Sequence, residues 1–198
     1  EFLTSTSRRF FKALLELLAG VPGIVYGLLG VSFLSLWIKD IFGLLDGNTL
    51  ATAGCLLAIM ILPTVLTLSE DAMRAVPAEY REIALGLGLS KWQMATGVVL
   101  PQALPGIMGA VLLGIGRAMG ETIAVMLVVG SLDRIPDPWF NIFSSGQTIP
   151  SKLGREAAES IGEGTHWSAL MALGLTLFIM VLLINFLGNR CLKRRSIS

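Results

Sequence analysis

The chain has 198 residues, of which 54% are hydrophobic and only 15% charged, with a formal net charge of +1 and a mean hydropathy of +0.73. A typical soluble domain carries roughly 25% charge, so this composition excludes a disordered or nucleic-acid-binding chain and argues against a water-soluble enzyme. Cys55 and Cys191 lie far apart without His or Cys neighbours at metal-ligand spacing, and His166 is the single histidine, so neither a zinc site, a disulfide framework nor a histidine-based triad is supported.

The chain begins at Glu1 rather than Met and shows no cleavable signal peptide, so an N-terminal part of the natural protein is expected upstream. Residues 10–20, with Lys12 and Glu16 as their only charges, read as an amphipathic helix at the interface that continues into a short first span at 21–38. Three further apolar stretches, 49–69, 105–129 and 167–187, approach or exceed the ~20 helical residues that a hydrocarbon core requires. Soluble cores rarely hold four such runs, so the expected fold class is all-α: a polytopic helical membrane protein with four visible transmembrane spans. Pro63 in the second span reads as a tolerated kink, with a gating hinge as the alternative. Met126, Met171 and Met180 read as packing residues.

Basic residues sort by connection. Ten of the 15 Lys and Arg fall on the side that holds both termini and four on the other, with Arg117 inside the third span. The positive-inside bias therefore places both visible termini in the cytoplasm, and Trp37 and Trp167 fall near span ends at headgroup level.

The cytoplasmic connection 70–101 is too patterned for a passive linker, although an ordinary interfacial loop is the plainer reading. Pro77 suits the first turn of a short helix through Glu79, Tyr80, Arg81, Glu82, Ile83 and Ala84, which Gly86 and Gly88 break. Ser90 and Gln93 form a capping box for a second helix, and Leu100-Pro101 is expected to end that helix at the membrane.

The third span carries the residues that are hardest to insert. Arg117 lies at the midpoint of 105–129, where a charge costs at least about 2.5–3.5 kcal/mol. Glu121, four residues on, is expected on the same helical face, together with Ala110, Gly114 and Ala124. Gly116 and Gly120 have the GxxxG spacing that admits a neighbouring helix. The pair reads either as a structural salt bridge or as part of a polar pathway. Arg offers a planar fork of donors that matches an oxyanion and stays charged when buried. Glu121 would neutralise Arg117 between passages. A proton-coupled carrier using Glu121 and a membrane scaffold are the readings from other classes. Beyond this span, residues 131–166 carry five acids against three bases and a short helix expected over 151–160.

Several stretches resemble a known family. Glu82-Ile83-Ala84, three residues, Gly88, nine residues, then Val98-Val99-Leu100-Pro101 resembles the EAA loop of binding-protein-dependent ABC transporter permeases, with Ile83 and Val98 as mild departures. Residues 114–130, above all Gly116-Arg117-Ala118-Met119-Gly120-Glu121-Thr122, resemble the phosphate permeases of that family. So do residues 17–27, although Gly23 stands where Ser is common, and the run 121–126 is more similar to the PstC member of the permease pair than to its PstA partner.

The resemblance implies a MetI-like permease domain over 1–198, completed by further N-terminal helices, with 70–101 as the coupling loop. It implies ATPase coupling through Glu79, Arg81, Glu82, Ala84, Gly88, Leu100 and Pro101, and a substrate pathway at Arg117, Glu121 and Thr122. The implied partners are a PstA-like second permease, a cytoplasmic ABC ATPase dimer, an external phosphate-binding protein that docks on 131–166, phosphate and membrane lipid, with no nucleic acid. None of the five lysines follows a glycine, so the chain lacks a Walker phosphate loop; it is expected to be non-catalytic and without a cofactor of its own, ATP and Mg being held by the ATPase. The implied location is the bacterial cytoplasmic (inner) membrane. Another oxyanion, molybdate or sulfate, is the alternative cargo.

Overall fold

The structure, a computed structural model, describes residues 5–133, 135–162 and 164–195; Arg134, counted above among the outer bases, lies outside them. The described residues are all-α, with one isolated parallel bridge joining Gly130 and Gly146. Among the described residues, four helical stretches are long and apolar enough to cross a membrane: Gly23–Phe42, Leu50–Arg74, Lys91–Gly120 and Gly164–Gly188.

The N-terminal helix, α1 (Ser5–Ala19), does not run into the first span as expected. Pro22 stands in extended backbone and has no N–H to continue the helical ladder, so the helix restarts as α2 (Gly23–Leu29). A π-helical turn at Gly30–Leu34 carries α2 into α3 (Ser35–Phe42), which Gly43 ends at φ +62°. α4 (Leu50–Arg74) contains Pro63. Downstream of it Thr67 Oγ1 donates to the carbonyls of Pro63 and Thr64, each at 3.1 Å, the back-bonding by which a threonine hydroxyl is satisfied within its own helix.

After α5 (Ala78–Gly86) the chain enters one span built from α6 (Lys91–Met94), a π-helical turn at Ala95–Val99, and α7 (Leu100–Gly120). Leu100-Pro101 therefore does not end a helix. The widened turn just before Pro101 absorbs its missing N–H, and the helix continues past Pro105 as well. The expected span at 105–129 is likewise corrected. The span is Lys91–Gly120, and α8 (Ile123–Val128) is a separate short helix after a break at Glu121-Thr122. Arg117 consequently sits in the last turn of α7 rather than at a span midpoint.

Residue contacts divide the chain into two compact units, Glu1–Gly20 with Leu62–Ile115 and Ile184–Ser198, and Val21–Ile61 with Gly116–Leu183. The first is centred on Val76, Ala84, Met94, Val99 and Ala103. In the second, Tyr26, Ala53, Leu56 and Met60 pack against Ala124, Val125, Val128 and Val129. The short helix α8 is thus the centre of its unit's core. α10 (Gly164–Arg195) is nearly uncovered by its own chain over Gly164–Gly188, where Leu175, Phe178, Leu182 and Phe186 stand exposed, as lipid-facing residues do.

The expected helix at 151–160 forms slightly earlier, as α9 (Ile149–Glu156), because Thr148 and Ser151 cap its start reciprocally and Pro150 occupies its first turn. Lys152 ties α9 to the preceding loop, with Nζ 2.6 Å from Asp133 Oδ1 and 2.6 Å from Glu156 Oε1, while Arg155 donates to the Ser131 carbonyl at 2.6 Å. Hydrogen bonding to Lys152 holds the Asp133 carboxyl below its ordinary range, and the two carboxylates hold the Lys152 ammonium above its own.

Asp133's contribution is therefore present above the ordinary carboxylate pKa and lost as pH falls through its lowered folded value. That of Lys152 is present below the ordinary ammonium pKa and lost as pH rises through its raised one. Amide exchange in 131–156 is expected to be flat from neutral pH down to the carboxylate range, once corrected for intrinsic rates, and to accelerate below it. Lys152→Met should remove that acid-dependent step.

Candidate functional site

The elbow between α4 and α6 is built by residues that face inward. Arg81 donates from both terminal nitrogens, reaching Met73 O in the last turn of α4 at 2.8 Å and Val76 O in the turn after it at 2.6 Å. Such carbonyls have no partner within the helix and otherwise need water. Ala84 is 3% exposed and lies in the core of its unit. Gly88 turns the chain at φ +83°, with its neighbour Leu89 donating to the Ala84 carbonyl at 3.2 Å, a closure that ends α5. Ser90 and Gln93 then form the capping box anticipated from the sequence.

With these groups turned in, α5 presents Glu79, Glu82, Ile83 and Leu87 outward, all exposed, and Trp92 follows at the start of α6. The result is a knob with two carboxylates on an apolar surface, the mixed character that suits a protein partner. Leu100 and Pro101 are exposed too, but on the continuous span and beyond the elbow.

In the second unit the geometry centres on the helix break. α7 ends at Gly120, and the Glu121 N–H donates to Ala118 O at 3.3 Å, a tightened last turn. Thr122 Oγ1 donates to Gly120 O at 3.3 Å. Glu121 Oε1 accepts from the Ala124 N–H at 3.1 Å and so caps the start of α8. Glu121 and Thr122 are half-buried, and Arg117 is exposed. The single-helix face expected for Arg117 and Glu121 therefore stops at Gly120: Arg117 belongs to α7, while Glu121 serves α8.

Among the described residues, a Cβ placed at Gly120 would meet nothing within 4 Å. The close packing lies on α2 instead. A Cβ at Gly27 would come 2.9 Å from Ala124 Cα, and one at Gly30 would come 2.8 Å from Val128 Cγ1. Gly23, Gly27 and Gly30 recur at i, i+4 and i+7, one helical stripe, which is a signal the sequence carries and the reading above did not use. Gly154 on α9 leaves room in the same way for the Thr122 methyl.

The chain is matched among known proteins. Residues 3–194 match the family described as "Binding-protein-dependent transport system inner membrane component". The chain is 34% identical over 191 residues to the "Probable ABC transporter permease protein YqgH" of Bacillus subtilis, covering 96% of this chain and 62% of that protein. It is 35% identical over 206 residues to the "Phosphate transport system permease protein PstC" of Mesorhizobium japonicum, covering 94% and 62%. A Mycobacterium tuberculosis relative, "Phosphate transport system permease protein PstC 2", is 35% identical over 195 residues, with 89% and 59% covered. The chain thus spans about three-fifths of the length of these relatives.

The fold is similar to that of the MetNI methionine ABC transporter in inward-facing conformations, with TM-scores of 0.71 and 0.73 at 19% identity, covering 95% and 98% of this chain and 75% and 78% of those chains. A match over nearly the whole chain, four candidate membrane spans and this shared fold lead to one conclusion: the chain belongs to the binding-protein-dependent transport system inner membrane component family.

Proposed function

We propose that this chain is the transmembrane subunit of an ATP-driven importer that moves inorganic phosphate across the bacterial cytoplasmic membrane. In this reading residues 1–198 are permease domain and 70–101 the coupling loop. The chain itself catalyses nothing and holds no cofactor; ATP and Mg are bound by a cytoplasmic ATPase dimer. A PstA-like second permease completes the pathway, and an external phosphate-binding protein delivers the anion on the side of 131–166. The observation that carries the reading is an Arg at the end of a membrane span, followed at once by a helix break whose acidic residue is fixed by a backbone N–H. An arginine fork binds an oxyanion without being deprotonated, and a fixed carboxylate nearby keeps that binding reversible. The phosphate permeases among the relatives support the choice of cargo.

Uptake of radiolabelled phosphate by the complete transporter in proteoliposomes tests this. Arg117→Gln should cut uptake on the order of a hundredfold with the complex still assembled, because an amide cannot offset a multivalent anion in a low-dielectric path. Glu121→Gln should slow transport without abolishing entry. Recovery of both assembly and uptake in the double variant would show a purely structural salt bridge. Uptake of molybdate or sulfate in place of phosphate would reassign the cargo.

Coupling makes a separate expectation. Gly88→Pro should uncouple transport from ATP hydrolysis, since proline cannot reach φ +83°. Glu82→Lys, which reverses a charge on the exposed knob, should do the same. Gly86→Ala, where the added Cβ meets nothing within 4 Å, should leave coupling intact. Normal import by the first two variants would remove the elbow from the coupling path.

The charge distribution favours both visible termini in the cytoplasm. In a background without Cys55 and Cys191, a cysteine at Ser144 should react with an impermeant thiol reagent applied outside, and one at the exposed Leu87 should react only after the membrane is opened. The reverse pattern would invert the topology.

A further inference from the structure

The stripe of three glycines on α2 meets three different kinds of neighbour. At Gly27 an added Cβ would press on Ala124 Cα at 2.9 Å, which is backbone, and on Leu127 Cδ1 at 2.7 Å. At Gly30 it would press on Val128 Cγ1 at 2.8 Å and on the Leu56 methyls at 3.1 and 3.3 Å. Both positions serve hydrocarbon packing in the core formed by Tyr26, Leu56, Ala124 and Val128. At Gly23 the three nearest atoms all belong to one carboxylate: Glu121 Oε1 at 2.7 Å, with Cδ and Oε2 at 3.2 Å. The same Oε1 accepts from the Ala124 N–H.

We propose that Gly23 is a positioning residue for the Glu121 charge: the space left by its missing side chain is where the carboxylate lies while it caps α8. The proposal rests on the reading of Glu121 as a pathway residue. Its physical content is a difference between the glycines. A Cβ at Gly27 has to displace backbone, so the cost falls on packing and assembly. A Cβ at Gly23 has only to displace the tip of a flexible side chain, so the fold survives and the charge moves, unless the added side chain carries a hydroxyl, as the Ser common here in the resembling permeases does, that can donate to the carboxylate and hold it. In a low-dielectric site a displaced charge changes its interaction with every other charge, Arg117 included, and with an arriving anion. Gly23 therefore controls transport through where a carboxylate stands, and Gly27 only through whether the helices pack.

A size exchange tests this in the complete transporter. Gly23→Ala should leave complex yield and thermal midpoint close to the wild type while cutting phosphate uptake on the order of ten- to a hundredfold, the loss that follows when a functional group is misplaced by about 1 Å. Glu121→Asp withdraws the carboxylate by about one C–C bond, ~1.5 Å, and Asp remains a good acceptor for the N–H groups of a first turn. The double variant, Gly23→Ala with Glu121→Asp, should therefore regain most of the uptake. Gly27→Ala should lower assembly, and Glu121→Asp should not repair it.

Amide exchange at 121–128 gives a readout independent of cargo. It should rise on the order of tenfold in Gly23→Ala as the Ala124 N–H loses its acceptor, and fall back in the double variant. If the wild type moves no phosphate, the proposed cargo fails and the exchange pattern still decides the position of the carboxylate. Wild-type uptake and exchange in Gly23→Ala, or a double variant no better than that single, would overturn the proposal.

Discussion

The hydrogen bond from the Ala124 N–H to Glu121 Oε1 holds a helix break in place inside an otherwise apolar chain. In hydrocarbon an unsatisfied backbone group costs several kcal/mol, so a helix can be interrupted at membrane depth only where protein supplies the missing partners. Here the Glu121 and Thr122 side chains supply them, one accepting from the start of α8 and the other donating to Gly120 O at the end of α7. The glycine stripe of α2 and Gly154 of α9 then let neighbouring elements close over the break. The burial of Ala124, Val125, Val128 and Val129, each at most 1% exposed, depends on this closure.

The elbow follows the same logic with different groups. Arg81, Ala84 and Gly88 share one loop pattern with Glu79 and Glu82, yet their tasks divide by the direction they face. Arg81 satisfies one carbonyl at the end of α4 and one in the turn after it, Ala84 fills the core and Gly88 supplies a left-handed turn. What remains outside, the two acids with Ile83 and Leu87, is a surface whose shape the inward residues set. A change at Arg81 would thus reach a docking partner indirectly, by loosening the turn that presents α5.

Much of this was legible in the sequence wherever a local rule operates. Four spans, the capping box at Ser90 and Gln93, and the turn at Gly88 depend on hydropathy, side-chain reach and backbone sterics, all of which act over a few residues. The misread boundaries have a common cause. Pro22 was absorbed into a continuous apolar run although it starts a new helix, whereas Pro101 was read as a stop although a π-helical turn carries the helix past it. A proline announces a missing N–H, but the tertiary surroundings decide whether the chain breaks or widens. The break at Glu121-Thr122 was hidden for the opposite reason. Hydropathy stays high through α8, and the interruption shows only in the polar pair Glu-Thr and in the glycines of α2, nearly a hundred residues upstream.

The break changes what the two charges of this region are to one another. On a continuous helix a spacing of four residues would fix their separation within the rigid geometry of one turn. With α7 ending at Gly120, Arg117 stands in the last turn of α7, while Glu121 caps α8 and lies against Gly23. The joint between them is a glycine around which an added Cβ would find open room. The separation of the two charges is therefore not set by a single helical turn. In the proposed reading, an Arg that binds an oxyanion and then releases it would need a counter-charge not locked to it by one helical turn, and a carboxylate that caps the next helix would supply one.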